Sequence, residues 1–212
     1  MRDPGKIESR PHLSAAAFDL ADQTSHAPAL AGVDVLALIS PAQPNQVAWE
    51  SALIAAAQRA AAGGIIKLSV LGADMATPIS FFARNAAETE RVLRASGVPH
   101  VILRANGFMQ NVLRQRATIE AGNFVEPSGA TAASRIDVHD LADVAVAVAD
   151  GGAFDGRALT LTGPVALTGD EIAATLSSGA PHLAVVSKDV EAATGRPPRS
   201  FAQFAQREFR PV

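Results

Sequence analysis

The chain has 212 residues, a formal net charge of -3, 48% hydrophobic and 18% charged residues, a balance that furnishes the core of one well-packed domain and argues against disorder. The acidic balance and the scatter of lysine and arginine leave no electrostatic footprint for a polyphosphate, so nucleic-acid binding is not expected. With no cysteine and no tyrosine, disulfides, thiolate metal sites, cysteine nucleophiles and tyrosine acids or bases are excluded, and the absence of a bilayer-length apolar run or an apolar leader in "MRDPGKIESR" leads us to expect a cytoplasmic protein without a membrane partner.

In chain order, "AAAFDLAD" (Ala15 to Asp22) reads as a strand end and "QTSHAPAL" as a short connecting helix interrupted by Pro28. "VDVLALIS" (Val33 to Ser40) is a continuous apolar strand, and "NQVAWESALIAAAQRAAAGG" (Asn45 to Gly64) an alanine-rich helix that stops at a glycine pair. The unit then repeats, with strand "IIKLSVLGA", helix "SFFARNAAETERVLRASG" (Ser80 to Gly97) and strand "HVILRA" (His100 to Ala105). Downstream, "SRIDVHDLADVAVAVAD" is a short strand running into a helix capped at Asp140. "RALTLTG" (Arg157 to Gly163) alternates like a strand, and "TGDEIAATLSSG" opens with Thr168 and Glu171 in capping-box spacing. In "GRPPRSFAQFAQREF" a proline-rigidified turn leads to a terminal helix capped by Ser200 and Gln203. Strands apolar on both faces, alternating with helices, predict an α/β fold with a parallel sheet covered on both sides.

Taken in order, "RDPGK", "FDLAD", "AGVDVLALISPA", "KLSVLGAD", "PISFFARNAAETERVLRASGVPHVILRANGFMQN", "IDVHDLADVA", "LTGPVALTGDEIA" and "TGRPPRSFAQFA" resemble the NmrA-like group of atypical short-chain dehydrogenases. The resemblance implies one NAD(P)-binding domain over 1–212, with a Rossmann-like doubly wound part at 1–150 and a small C-terminal substrate or lid part at 151–212. The group includes NAD(P)H-dependent quinone and azo-dye reductases and also cofactor-sensing regulators that catalyse nothing, so the fold is implied more firmly than the reaction. Two departures stand out. The group's opening strand, Gly-rich turn and helix, which seat the dinucleotide pyrophosphate, have no counterpart, so the Rossmann-like sheet is expected to be N-terminally truncated. A start placed too far downstream and a natural loss of the cradle both stay open. The passage "SSGAPHLAVVSKDV" (Ser177 to Val190) is also short where the group has a longer helical stretch.

The resemblance also implies where a cofactor lies. Arg2 stands where related enzymes set a basic residue against the 2'-phosphate of NADP, which favours NADP over NAD; the alternative is a solvated arginine at a frayed terminus. Asp19 and Leu20 match an adenine-contacting pair, unless Asp19 merely closes a turn. Ile39, Ser40 and Pro41 end one strand and Ser69, Val70 and Leu71 lie in the next, both placed for the nicotinamide side because open parallel sheets bind ligands outside their carboxyl ends. The alternative is that Val70 and Leu71 are core and Ser69 a satisfied hydroxyl. Asn106, Gly107 and Phe108 follow the third strand and by resemblance sit beside the nicotinamide, Gly107 admitting a close backbone approach; an ordinary helix-start turn is the alternative.

Many α/β oxidoreductases carry a tyrosine and, one turn on, a lysine in the helix that here begins at Ser80. The facing positions are Phe82 and Ala86, on one helical face with Leu93, a stripe that reads as core packing. Neither side chain moves a proton, so carbonyl reduction by that dyad is excluded and no catalytic residue is assigned. What survives is chemistry supplied by the cofactor, hydride delivery to a quinone-like or azo acceptor with protons from water. Phe81, Phe82, Phe108 and Met109 are the candidates for an apolar acceptor slot. Asp137, His139 and Asp140 in "IDVHD" are not expected to bind a metal, because strand neighbours face opposite ways, and no G-x-S-x-G elbow marks a hydrolase. The rival readings are a non-catalytic NAD(P)-sensing or protein-binding regulator and an inactive fragment. For the fragment, an unpaired edge within the sheet predicts poor stability or edge-to-edge association into a homo-oligomer, whereas the regulator reading implies a protein partner.

Overall fold

The structure, a computed structural model, describes residues 11–78, 80–120, 131–152, 156–169, 171–172 and 186–208. Four strands, β1 (Val35–Leu38), β2 (Gly64–Val70), β3 (His100–Ala105) and β4 (Ala158–Leu161), form one sheet in the order β1-β2-β3-β4. The pairing is parallel, β1 matching β2 from Val35 opposite Gly64 to Leu38 opposite Lys67. The Ile65 and Leu71 amides donate to the Pro99 and Ala105 carbonyls, both at 2.9 Å, and the Ile102 and Asn106 amides to Arg157 and Leu161 at 2.9 and 3.0 Å. With helices flanking it, the sheet is the expected α/β Rossmann-like arrangement. Strands β2 and β3 read as apolar runs because Ile65, Ile66, Val101, Ile102 and Leu103 are all buried, as in sheets covered on both faces.

The described helices are α1 (His26–Leu30), α2 (Gln46–Arg59), α3 (Phe81–Ala95), α4 (Arg116–Glu120), α5 (Val138–Gly151), α6 (Asp189–Thr194) and α7 (Phe201–Glu208). Ser80 caps α3, its Oγ accepting from the Ala83 amide at 3.0 Å. At α7 the expected capping box closes from both sides, Ser200 N–H donating to Gln203 Oε1 at 2.8 Å and Gln203 N–H to Ser200 Oγ at 3.2 Å. The Thr168 and Glu171 box closes likewise; the rest of that helix, and residues 177–185 of the shortened passage, lie outside the described residues.

Several local expectations are corrected. Residues 15–19 form no strand, since among the described residues β2 is the only ladder partner of β1. Pro28 does not interrupt its helix: it is the third residue of α1, inside the first turn, where an amide would find no intrahelical acceptor. The glycine pair does not stop α2, which ends at Arg59 with Ala61 in the left-handed region at φ 52. Gly63 is needed for packing instead, because a Cβ there would come within 3.0 Å of the Asp34 carbonyl oxygen, and Gly64 already opens β2. The strand expected before α5 is reduced to isolated bridges, Phe108 to Ile136 and Ala133 to Leu167. The cap of α5 is Asp137, extended at ψ 132 and accepting from the His139 amide, which leaves Asp140 inside the first turn.

The chain divides into two compact units, one of Met1–Leu68, Gly72–Ile102 and Phe154–Arg157, the other of Ser69–Leu71, Leu103–Ala153 and Ala158–Val212. In the first, α2 packs on α3 and on α1. The inner face of α3 is Ala83, Ala86, Thr89, Glu90 and Leu93, so the expected core stripe holds for Ala86 and Leu93 but not for Phe82, which is 56% exposed. The buried period runs 83, 86, 90, 93, and Phe82 falls at its edge. The second unit has its core around Met109, Val112, Ile172, Phe201, Phe204 and Ala205, where the Phe201 and Phe204 rings lie 5.4 Å apart.

Candidate functional site

In the first unit Asp19 behaves as a turn-closing aspartate: its Oδ1 accepts from the Ala21 amide at 3.1 Å, and its own amide donates to Ser25 Oγ at 3.0 Å. Leu20 is half-buried, its carbonyl 3.2 Å from His26 Nε2. Arg2 lies outside the described residues. Past the carboxyl end of β1, Ile39 is 67% exposed, Pro41 is exposed and Ser40 is half-buried. Phe81 and Phe82 at the start of α3 are both exposed, ring edge to ring face with centroids 6.0 Å apart.

Ser40 belongs to a buried polar cluster that sequence reasoning did not single out. Its hydroxyl donates to Glu50 Oε1 and accepts from Gln46 Nε2 at 3.2 Å, while Gln46 Nε2 also reaches Glu50 Oε1 at 3.1 Å. Lys67 Nζ sits 3.1 Å from both Glu50 oxygens, the two side chains 2% and 0% exposed, and it also donates to the Leu68 carbonyl. Asn85 Nδ2 extends the chain to Gln46 Oε1 at 3.4 Å. The signal was present in "IIKLSV": a lysine inside a strand buried on both faces requires a buried counter-charge. Ser40 therefore has its proton committed inward, and one side of a half-exposed hydroxyl is all that it can offer a ligand.

The second unit brings Ser69, Val70 and Leu71 beside Asn106, Gly107 and Phe108, since the Leu71 amide donates to the Ala105 carbonyl. Ser69 is buried; Val70, Leu71, Gly107 and Phe108 are half-buried. Asn106, also buried, shapes the turn after β3: its Oδ1 accepts from the Gly107 amide at 2.7 Å and its Nδ2 donates to Ser134 Oγ at 3.1 Å. The turn is clamped by Ile136 N–H donating to the Gly107 carbonyl at 3.0 Å and Met109 N–H to the Ile136 carbonyl at 2.9 Å. A cavity of about 160 Å³ opens beside it, lined among others by Met109, Arg135, Val165, Leu167, Ile172 and Phe201. Two glycines make room here. A Cβ at Gly163 would collide with the Arg135 carbonyl oxygen, and one at Gly107 would stand 3.4 Å from Arg135 Nη1.

The "IDVHD" residues hold this unit together. Asp137 Oδ1 accepts from the His139 amide at 3.0 Å, His139 Nδ1 at 2.9 Å and Gln110 Nε2 at 2.6 Å, and Oδ2 pairs with Arg207 Nη2 at 2.9 Å. Burial opposes ionisation of this carboxyl, but the His139, Gln110 and Arg207 donors outweigh it and hold it at about 2. Asp140, fully buried, accepts from the Arg199 amide at 2.6 Å and pairs with the Arg196 and Arg199 guanidinium groups, tying α5 to the segment that leads into α7. Among the described residues no three His, Asp or Glu side chains converge as metal ligands, and no helix is long and apolar enough to cross a membrane.

The turn after β3 suits the nicotinamide end of a dinucleotide: a backbone position without a Cβ, a buried carboxamide and apolar neighbours at the carboxyl ends of parallel strands. A family profile described as NAD(P)H-binding matches residues 1–151. The chain is 30% identical to the NAD(P)H azoreductase of Xenophilus azovorans over 92% of its own length and 82% of that protein. It is 29% identical to quinone oxidoreductase 2 of Escherichia coli (strain K12), over 84% of this chain and 63% of that one. Among solved structures, the Escherichia coli NADPH-dependent quinone oxidoreductase QOR2 complexed with NADPH shares the fold with a TM-score of 0.79 at 24% identity, over 93% of this chain and 84% of that one. The Citrobacter sp. triphenylmethane reductase complexed with NADP(H) gives a TM-score of 0.79 at 18% identity, over 92% and 83%. The resemblance drawn from the ordered segments is thus borne out, and the chain belongs to the NAD(P)H-binding family with a Rossmann-type fold.

Proposed function

We propose that the protein is an NAD(P)H-dependent reductase that transfers hydride to a small quinone-like or azo acceptor without a tyrosine and lysine dyad. The observation that carries the reading lies within the second unit: the turn Asn106 to Phe108 leads directly, through Met109, into an apolar cavity sized for a ring. When bound, a reduced nicotinamide supplies the hydride. The chain's own residues orient and exclude water: Asn106 holds the turn open at Gly107, while Met109 and Phe201 wall the cavity. With no tyrosine in the chain, the proton that completes reduction comes from water. Ser69, Val70 and Leu71 line the nicotinamide side in this reading, with Ile39, Ser40 and Pro41 contributing from the segment that follows β1, Asp19 and Leu20 at the adenine, and Arg2 favouring NADP. Relatedness to an azoreductase and a quinone oxidoreductase supports the acceptor class.

The test is calorimetric titration with NADPH and NADH, followed by steady-state oxidation of NADPH with quinones and azo dyes. Saturable micromolar binding, on the order of -8 kcal/mol, with acceptor-dependent turnover is expected. Binding without turnover on any acceptor would refute the reductase reading, and no binding by the folded chain would refute the cofactor site as well.

A further inference from the structure

Two buried ionisable groups that the proposed reaction leaves unused lie behind the carboxyl end of β1. Lys67 and Glu50 form an ion pair at 3.1 Å, and Ser40, half-buried between exposed Ile39 and Pro41, brings their cluster to the surface. The Ser40 hydroxyl touches Glu50 Oε1. Two oxygens in contact share a proton, and a carboxylate paired with an ammonium has none to give, so that proton is Ser40's. Gln46 Nε2 donates to the same hydroxyl oxygen at 3.2 Å and reaches Glu50 Oε1 at 3.1 Å, the carboxylate fixing which end of the amide faces inward. Asn85 Nδ2 holds the other end, 3.4 Å from Gln46 Oε1 and 3.3 Å from the Gln43 carbonyl. Of the two lone pairs on Ser40 Oγ, one is taken by Gln46, and among the described residues no donor takes the other. Toward a ligand, Ser40 can only accept.

We propose that Glu50, held by Lys67, and Gln46 are positioning residues that make Ser40 an acceptor-only contact, so that the part of the cofactor it meets is a neutral donor and not a phosphate. A serine with a free proton at the end of a parallel strand could donate to a phosphate oxygen. Here that would take the proton from Glu50 and leave a buried carboxylate short of a donor, which is costly. The nicotinamide riboside end of a reduced dinucleotide carries two kinds of neutral donor, the carboxamide N–H and the ribose hydroxyls, whereas the pyrophosphate carries none. Either donor makes one directed hydrogen bond to the open lone pair of Ser40 Oγ. The inference rests on the cofactor reading, in which Ser40 contributes to the nicotinamide side.

The test is calorimetric and needs no turnover. Three ligands are titrated: NADPH, its analogue with an acetyl group in place of the carboxamide, and its analogue with a 2',3'-dideoxy nicotinamide ribose. They are compared in wild type, Ser40→Ala, Ser40→Thr and the double variant Glu50→Met, Lys67→Met, with sodium sulfate as an anion that carries no donor. Expected is about fivefold weaker binding of one analogue than of NADPH by wild type, the worth of one neutral hydrogen bond. A loss with the acetyl analogue assigns the carboxamide; a loss with the dideoxy analogue assigns the ribose. In Ser40→Ala, NADPH falls to the affinity of that analogue, which itself binds as it does to wild type, and Ser40→Thr, which keeps the hydroxyl, restores the difference. The double variant exchanges the buried ion pair for apolar side chains, releases the Ser40 proton and narrows the difference. A merely structural role would weaken all three ligands alike. No NADPH binding by the folded wild type removes the cofactor reading and the inference with it. NADPH binding with the same ligand ratios in Ser40→Ala as in wild type overturns the inference alone, as does a difference unaltered in the double variant. Should the double variant fail to fold, sulfate decides in its place: sulfate binding that is lost in Ser40→Ala requires the proton to point outward and overturns the proposal.

Discussion

Replacing Lys67 by methionine should destabilise the chain more than any surface substitution. Lys67 Nζ lies 3.1 Å from the Glu50 carboxylate, and both side chains are all but sealed from solvent. At an effective dielectric of about 20, a pair at this distance attracts by roughly 5 kcal/mol. Removing the lysine strands the carboxylate with only the Ser40 hydroxyl and the Gln46 amide as donors, and breaking a buried pair in this way costs about 3–5 kcal/mol. In a chain of this length each kcal/mol moves Tm by roughly 2–4 °C, so a drop of roughly 6–20 °C is expected by differential scanning fluorimetry, with a matching fall in urea midpoint. The companion Glu50→Met, Lys67→Met should recover most of the loss, because a well-packed apolar pair of similar volume replaces a buried ion pair at little cost. It should stop about 1 kcal/mol short, since Ser40 and Gln46 lose their shared acceptor. The two single substitutions therefore couple by at least about 2 kcal/mol in a double-mutant cycle. A Lys67→Met chain within about 1 kcal/mol of wild type, or two singles that simply add, would refute the claim that this pair anchors the first unit.

Three further outcomes follow from the second unit. Asp137 falls from its ordinary 3.8 to about 2 in the fold, so the folded state binds that proton less readily than the unfolded one. Its contribution, on the order of 2 kcal/mol, is fully present above about pH 4 and lost as pH falls through about 2; acid unfolding of Asp137→Asn should lack this step, and an unchanged profile counts against it. Gly163→Ala should cost about 2 kcal/mol or more, because a methyl group there meets the Arg135 carbonyl and the tip of Met109; equal urea midpoints for variant and wild type would show that the backbone yields freely. Asp140→Asn removes the charge shared by Arg196 and Arg199 and should cost about 1–3 kcal/mol. It should also raise acceptor KM, since Ser200 and Phe201 at the cavity follow Arg199 directly; a variant that loses stability with KM unaltered would separate the ion pairs from the site.

What the sequence disclosed depended on whether the signal was local. β3 spans His100 to Ala105 as read, because Pro99 and the Asn106-Gly107 pair punctuate it. The capping boxes at Thr168 and Ser200 were legible because both partners lie within four residues of each other. "AAAFDLAD" was misread because a strand needs a neighbour, which no window of eight residues contains. Asp137 and Asp140 exchanged roles because either aspartate can cap by composition, and only the extended backbone at 137 decides between them. Arg135 escaped notice altogether. Its place depends on Gly107 and Gly163, each 28 residues away in opposite directions, and nothing in "ASRIDV" announces that two distant glycines open a space around it.

The pair at Phe82 and Ala86 then takes on a different meaning from a lost dyad. Ala86 is 3% exposed on the face of α3 that carries Leu93, and α3 packs there against α2. A lysine at that position would bring its ammonium onto the buried face that also holds Thr89 and Glu90, and would have to share the Glu90 carboxylate with Arg94. Phe82 faces solvent and would accept a tyrosine hydroxyl, yet a tyrosine alone lacks the neighbouring cation that lowers its pKa. The dyad's route is closed by the residue types themselves, since neither a phenyl ring nor a methyl group moves a proton. Charge that builds on an acceptor therefore has to be met at another position than these two.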